Sequence, residues 1–234
     1  HFQFNADIIG ETDPAADAEI ISLLIESLRG LGLTAADFVI RLSSRQAWQG
    51  FFSERSSNQD QAYEFYQAID KLEREEESVS RAKLDKIGIR LEDVKAFITA
   101  SAPTPELGVV LDNLAARGLG EFVKVDYNVI RGLAYYTGTV FEFFDTHPEN
   151  NRSLFGGGRY DGLVGLFGAE PVSAVGFAPG LSMTELFLQV HDLVPKLGST
   201  TDIYMIAIGD GLRGAMKVAE QFRAEGVNVE LDFT

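Results

Sequence analysis

The chain has 234 residues, 45% of them hydrophobic, a formal charge of −15 and no cysteine. This composition is sufficient for a sizeable buried core, and it excludes disulfide bonds, thiol catalysis and cysteine-ligated zinc. A surface this acidic repels phosphate backbones over most of its area, so any contact with nucleic acid has to be local.

The pattern of apolar residues favours a soluble, cytoplasmic protein without a membrane segment. No apolar run reaches the roughly 20 residues of a membrane-spanning helix, and no charged-then-apolar leader opens the chain. Both ends fall within alternating, strand-like runs, at 1–10 and 227–231. We therefore expect the chain to be a fragment of a longer protein.

Strands and helices are predicted along the chain without strict alternation. After the opening strand, Asp13 and Pro14 suit a helix start, and apolar residues recur at helical spacing up to Gly30. The next elements are a strand at 38–42, a helix from 43, a helical stretch over 60–99 with a solvated charge run at 73–77, and a helix from 104 to about 118. Strands at 123–126, 139–144 and 173–177 and a helix at 181–190 complete this part.

A linker over 190–201 separates a second pattern of strand, helix and strand, at 203–208, 212–225 and 227–231. The sequence thus predicts an α+β domain with an antiparallel sheet over 1–195 and a helical insertion at about 60–118. The βαβ pattern at 201–234 is predicted to begin a second, truncated α/β domain.

Arg131 lies among glycines and aromatic residues rather than in a charged surface run. A guanidinium offers paired donors and a permanent charge, so this setting favours a clamp for a carboxylate or phosphate over a structural ion pair. Tyr135 and Tyr136 follow. As consecutive residues of a strand they face opposite ways, and we expect Tyr136 to contact the ligand while Tyr135 packs in the core.

Two further motifs are weaker when taken alone. Gly156–Gly158 offers backbone amides to an anion, but a flexible hairpin turn explains a glycine triplet equally well. Gln3 and Asp7 lie four residues apart on one predicted strand and therefore share a face, either facing a cationic ligand or exposed at a sheet edge. The three histidines are scattered in sequence without metal-ligand spacing, and no metal site is predicted.

Taken in order, these segments resemble the histidyl-tRNA synthetase family of class II aminoacyl-tRNA synthetases. The similarity is carried by residues 3–10, by the stretch from Arg131 to Glu142, by residues 156–161, and by residues 175–180. It implies a synthetase-like antiparallel sheet flanked by helices, with the start of an anticodon-binding domain. It also implies ATP-dependent activation of histidine with Mg²⁺, transfer to tRNA(His), and a homodimer in the full-length protein.

The resemblance assigns roles to individual residues. The catalytic residue is Arg131, which would hold the histidine carboxylate and the α-phosphate. Histidine would be bound by Gln3, Asp7, Arg131, Tyr135, Tyr136, Gly156 and Gly158. ATP would be bound by Arg131, Gly176 and Gly180.

The chain departs from the family's pattern at Met183, where an arginine is expected, and at Ala134, where an aspartate is expected. The first motif of the class and the ATP-binding arginine of the second would precede residue 1. We therefore expect this chain alone to bind histidine weakly and to form the adenylate poorly. The alternatives are a histidine-sensing regulatory subunit of ATP phosphoribosyltransferase, which is similar to the synthetase core, and an interaction protein on the same fold that binds neither histidine nor ATP.

Overall fold

The computed structural model of the chain describes residues 2–56, 58–130, 135–150 and 153–233, apart from the side chain of Gln59. These residues form two units, His1–Val194 and Pro195–Thr234. The helices are α1 Ala15–Gly30, α2 Arg45–Ser53, α3 Ala62–Asp70, α4 Glu77–Lys86, α5 Leu91–Ala100, α6 Pro105–Ala116, α7 Leu181–Val190 and α8 Leu212–Ala224. The strands are β1 Ala6–Ile9, β2 Phe38–Ser44, β3 Val123–Val125, β4 Thr139–Asp145, β5 Ser153–Arg159, β6 Ala174–Phe177, β7 Ile203–Ile206 and β8 Val229–Asp232.

The first unit contains a six-stranded sheet in the order β1-β6-β5-β4-β2-β3. All neighbouring strands pair antiparallel except β2 and β3, which run parallel at one edge. The predicted α+β fold is therefore confirmed, with the correction that the sheet is mixed rather than wholly antiparallel. A parallel pair needs a long crossover, and the helices between β2 and β3 provide it.

One face of the sheet is covered by α1, α6 and α7. Phe141 and Phe143 of β4 alternate toward this face and are fully buried against Ile21 of α1 and Phe187 of α7, within one apolar core. The intervening residues Val140, Glu142 and Phe144 therefore point to the opposite face. That second face carries the polar and aromatic residues of the candidate site.

A second core is built by α2–α5 and centres on the single tryptophan. Trp48 is fully buried, its ring packs edge-on against Phe65, and its indole Nε1 donates to the carbonyl oxygen of Tyr127 at 3.1 Å. The helical insertion thus has apolar packing of its own. The last predicted helix of the insertion, α6, packs instead with α1 in the core beneath the sheet.

The stretch 60–99 is not one helix. The chain leaves the helical conformation between α3 and α4, where like charges at 73–77 repel one another along any continuous helix. A second break follows at Gly88, whose φ of 74° is readily adopted only by glycine. These breaks allow α3, α4 and α5 to fold back on Trp48.

The second unit has the predicted strand–helix–strand order. Strands β7 and β8 pair in parallel, with Met205 opposite Leu231, and α8 connects them. This is a βαβ arrangement. No helix within the described ranges is long and apolar enough to cross a bilayer.

Helix α6 has a well-formed N-cap, in which the Thr104 hydroxyl oxygen accepts from the backbone N–H of Leu107 at 3.2 Å. Replacing Thr104 with alanine leaves that N–H unpaired, so the free energy of unfolding should fall by about 1 kcal/mol. Urea denaturation measures the change, and Thr104→Ser should restore most of it. Equal losses in the two variants would contradict the capping role.

Candidate functional site

The floor of the site is a row of residues that crosses four strands and contains two glycines. Asp7 on β1 pairs with Gly176 on β6, which pairs with Gly158 on β5, which in turn pairs with Val140 on β4. Because paired residues point to the same face, this face has no side chains at the two central positions. The row therefore forms a depression between Asp7 and β4.

The two glycines are required by close contacts. A Cβ on Gly176 would lie 2.0 Å from Oδ1 of Asp7, and one on Gly158 would lie 2.8 Å from the Tyr136 ring. The third glycine, Gly157, faces the main core, where its Cβ would lie 2.6 Å from Phe141. The triplet at 156–158 thus lies within strand β5, which corrects the hairpin-turn interpretation.

Asp7 is joined to an aromatic cluster through Tyr160. The phenol of Tyr160 donates to Oδ1 of Asp7, and its ring packs edge-on against Tyr135 with centroids 6.1 Å apart. Burial, followed by the hydrogen bond to Asp7, raises the pKa of Tyr160 above its ordinary value. Tyr160 therefore remains a neutral donor, and Asp7 retains oxygen lone pairs for a ligand.

Tyr135 and Tyr136 are not in a strand, so the expectation that they face opposite ways is wrong. They precede β4, and their rings adjoin with centroids 4.6 Å apart at an angle of 45°. Both belong to one cluster with Val140, Phe144 and Tyr160, in which Tyr136 is the more deeply buried ring. The expectation that Tyr135 rather than Tyr136 packs in the core is therefore also wrong, since Tyr136 is the buried ring.

The segment bearing these tyrosines is fastened to the end of β5. The Thr137 backbone N–H donates to the Arg159 carbonyl at 2.8 Å, and its hydroxyl donates to Oδ2 of Asp161 at 2.9 Å. The Asp161 N–H returns a bond to the same hydroxyl at 3.0 Å. These bonds tie the tyrosine pair to the strand that provides Gly158.

Arg159 anchors this corner from within the protein. It is 7% exposed, and its Nε lies 3.0 Å from Oδ2 of Asp17, which is fully buried at the start of α1. Its other nitrogens donate to the carbonyls of Glu11 and Asp13 and to the Ser173 hydroxyl. A charged group with this many partners in a dry environment is structural, and it holds the loop before α1 against β5 and β6.

A cleft of about 630 Å³ opens beside the tyrosine cluster, lined in part by Val129, Glu142 and Phe144. Val129 and Phe144 belong to both the cleft wall and the cluster. The opposite wall includes Asp70 and Arg74 near the end of α3. This cleft therefore has room for a small ligand beside the tyrosine cluster.

The other predicted site residues lie outside this cluster or beyond the described part of the chain. Gln3 is outside the strand but keeps its register, bridging Gly180 while Asp7 pairs with Gly176; its amide donates to Asn5 at 2.7 Å. Gly180 caps α7, and Gly156 lies opposite Glu142 on β4. Arg131 and Ala134 fall outside the described residues.

Tyr160 lies in the segment 156–161 that carries the family resemblance, but it was not among the predicted site residues. Alternation along a strand was the available signal, because Tyr160 follows Gly158 by two residues and shares its face.

Two of the histidines, which are far apart in the sequence, lie close together in the structure. The rings of His147 and His191 lie 5.9 Å apart, and His191 Nε2 lies 2.9 Å from Oδ1 of Asp145. Even so, the described part of the chain has no group of three or more His, Cys, Asp or Glu residues placed to hold a metal ion.

The first unit is an α+β domain, in which a mixed sheet carries helices on one face and the Asp7–tyrosine cluster on the other. A family model described as histidyl-tRNA synthetase matches residues 1–183. The chain belongs to the histidyl-tRNA synthetase family.

Relatives and solved structures agree with this assignment. A histidine–tRNA ligase of Haloquadratum walsbyi is 36% identical over 99% of this chain and 58% of its own length. One from Opitutus terrae is 34% identical over 98% of this chain and 57% of its own length. This chain therefore spans less than two thirds of these relatives.

Among solved structures, histidyl-tRNA synthetase from Nostoc sp. PCC 7120 has a TM-score of 0.71 at 25% identity, covering 99% of this chain and 61% of that one. A Bacillus halodurans C protein described as an ATP phosphoribosyltransferase regulatory subunit/histidyl-tRNA synthetase also has a TM-score of 0.71, at 22% identity. The match covers 98% of this chain and 62% of the Bacillus halodurans C chain. At that identity the second likeness concerns the fold alone.

Proposed function

We propose that the whole protein is a histidine–tRNA ligase, which activates histidine with ATP to histidyl-adenylate and transfers the histidyl group to tRNA(His). Family membership supports the activity. The observation that carries the choice of amino acid is the Asp7–Tyr160 pair beside two tyrosine rings, on a floor formed by Gly158 and Gly176. Such a pocket combines a fixed acceptor with flat aromatic walls, which suits an imidazole.

In this proposal the Asp7 carboxylate accepts a hydrogen bond from an imidazole N–H. Tyr160 keeps the carboxylate in place, because its neutral phenol donates to one oxygen and leaves the other free to accept. The rings of Tyr135 and Tyr136 border the imidazole, and Gln3 approaches the amino end of the ligand. Gly156 and Gly158 let the ligand lie close to the backbone of β5.

Arg131 is proposed to hold the histidine carboxylate and the α-phosphate of ATP. The attack of the carboxylate on phosphorus gathers negative charge on the phosphate oxygens, and a preplaced guanidinium stabilises that charge without losing a proton. Gly176 and Gly180 are the proposed ATP contacts of this chain. Their positions in β6 and at the start of α7 offer backbone groups without obstructing side chains.

Mg²⁺ is proposed only as the ion that accompanies ATP. The described residues do not present a dedicated cluster of ligands, and Mg²⁺ is commonly held by substrate phosphates with one or two carboxylates. No step is therefore derived through a metal held by this chain. The homodimer and the cytoplasmic location are likewise proposals for the full-length protein.

The second candidate is a histidine-sensing regulatory subunit of ATP phosphoribosyltransferase. The Bacillus halodurans C structure, whose description contains both names, shares the fold. Met183 at the start of α7 favours this candidate, since the resemblance places an ATP-contacting arginine there. A regulatory subunit would bind histidine in the same pocket without activating it.

Histidine-dependent exchange of pyrophosphate into ATP separates the two candidates. The full-length protein should catalyse the exchange, and Arg131→Ala should reduce its rate by about a hundredfold or more, as expected for a group that stabilises transition-state charge. Arg117→Ala is a matched control, because Arg117 pairs at the surface with Glu19. Histidine binding without exchange would select the regulatory subunit. Robust exchange by the 234-residue chain alone would contradict our expectation that it lacks ATP-holding arginines.

A further inference from the structure

Arg45, the first residue of α2, is a partly buried cation to which neither the sequence nor the family comparison gives a role. Its guanidinium carbon lies 3.5 Å from the centroid of the Tyr66 ring. Its Nη1 atom is buried and has no hydrogen-bond partner, and no carboxylate among the described residues pairs with it. Burial lowers the pKa of Arg45, because a partly desolvated guanidinium loses hydration of its charged form.

Next to this arginine is a cavity of about 250 Å³. Phe52 and Tyr66 form its apolar side, while Gln49 and Thr137 add polar groups. Gln49 lies one helical turn after Arg45, so both side chains project from the same side of α2. The cavity thus places an incompletely satisfied cation beside neutral polar groups.

The cavity also adjoins the histidine pocket proposed above. Tyr136 contributes to the lining of the cavity and belongs to the tyrosine cluster near Asp7. A ligand in the cavity would therefore be separated from a ligand on the glycine floor by little more than one aromatic ring. The two would be close enough to take part in one reaction.

We propose that the cavity is a subsite for a singly charged oxyanion, whose oxygen accepts from Nη1 of Arg45. One guanidinium balances one negative charge, so a carboxylate or a phosphodiester fits better than a free phosphate dianion. The free-energy cost of desolvating the Arg45 guanidinium is then compensated only when the anion is bound. Such a cost in the free protein is typical of a residue that serves binding.

Of these two sources we favour the phosphodiester of an RNA end, a choice that rests on the proposed function. Arg131 is already assigned to the histidine carboxylate, and the transfer step must bring the end of the tRNA next to the histidine. The formal charge of −15 makes most of the surface repel RNA. A single cation in a cavity would still allow a local contact with one phosphodiester.

The test compares wild-type protein with Arg45→Gln, Arg45→Lys and Arg55→Gln. Arg55 is the matched control, because its guanidinium also lies over a ring, 3.9 Å from the centroid of Phe51, and pairs with Glu54 at the surface. The probes are an RNA hairpin with the tRNA(His) acceptor sequence, L-histidine, and histidinol, which lacks the carboxylate. Affinities are measured at several salt concentrations, and melting temperatures are measured without ligand.

For the phosphodiester, Arg45→Gln should weaken hairpin binding about tenfold to a hundredfold, as expected for one hydrogen bond to a charged group. The slope of log affinity against log salt should fall by about 0.7 to 0.9, the value for one phosphate contact. Arg45→Lys should recover part of the affinity, and Arg55→Gln should leave it unchanged. Weaker binding of histidine, with histidinol unaffected, would instead assign the subsite to the carboxylate.

The melting temperature separates this role from a structural one. Removing an uncompensated cation should leave the melting temperature of Arg45→Gln unchanged or raise it. A lower melting temperature with unaltered binding of every probe would overturn the proposal.

Pyrophosphate exchange needs no RNA and should persist in Arg45→Gln if the phosphodiester is the ligand. Absence of exchange in the wild type would contradict the ligase proposal, whereas the hairpin and histidine measurements would still decide the fate of the subsite.

Discussion

Replacing Asp17 with asparagine should destabilise the first unit by about 3–5 kcal/mol, the usual cost of removing one partner of a buried ion pair. The Asp17 and Arg159 side chains are 1% and 8% exposed, so water cannot solvate the remaining guanidinium. The free energy of unfolding from urea titration, followed by the emission of the buried Trp48, measures the loss.

The surface pair Arg29–Glu26 provides the control. Its atoms are 2.7 Å apart, but its side chains are 48% and 54% exposed, so Glu26→Gln should cost at most about 1 kcal/mol. Replacing both buried partners, as Asp17→Leu with Arg159→Met, should cost less than the sum of the two single changes. An Asp17→Asn loss as small as that of Glu26→Gln would show that Arg159 does not depend on this carboxylate.

Gly176→Ala should weaken histidine binding about a hundredfold, which corresponds to about 2.7 kcal/mol. The new methyl group would overlap Oδ1 of Asp7, which lies 2.0 Å from the Cβ position. The carboxylate must then move, and its hydrogen bond from Tyr160 is lost with it. Isothermal titration with L-histidine measures the change.

Gly162→Ala is the matched control, since nothing lies within 4 Å of its Cβ position and its φ is not positive. Because the Ala6 carbonyl is also only 2.7 Å from the added Cβ, Gly176→Ala can disturb β1 itself. Asp7→Asn, which keeps the shape, separates the two effects. If Asp7→Asn binds histidine as the wild type does, Asp7 does not recognise the ligand.

The elements and the residues of the glycine floor were largely predictable, because both depend on local information. Strand alternation and helical spacing follow from the backbone period, and the ordered motifs carry the positions of Asp7, Gly158 and Gly176 through resemblance. The break between α3 and α4 was not predicted. The charge run at 73–77 was interpreted as the solvated face of a continuous helical stretch, and the packing of the separate helices around Trp48 is a property of the completed core.

The interactions that sequence reasoning missed join distant residues. Arg159 and Asp17 are 142 positions apart, and Tyr160 and Asp7 are 153 positions apart. The role of Arg159 in particular was hidden, since its partner Asp17 is far away in the sequence and only the fold brings the two together. The tyrosine pair was misjudged because Tyr135 and Tyr136 were assumed to lie in a strand, whereas β4 begins only at Thr139, four residues after Tyr135.

The bare floor formed by Gly158 and Gly176 limits how this pocket can change. Mutation of these glycines can only add side-chain atoms to the floor, because glycine has no side chain that a substitution could shorten. If the proposed histidine site is correct, variants that accept a larger amino acid should therefore arise at surrounding side chains such as Tyr135, Tyr136 or Tyr160. Libraries randomised at the two glycines should yield only variants that accept fewer or smaller amino acids. Variants that accept larger amino acids should come from libraries randomised at the surrounding side chains.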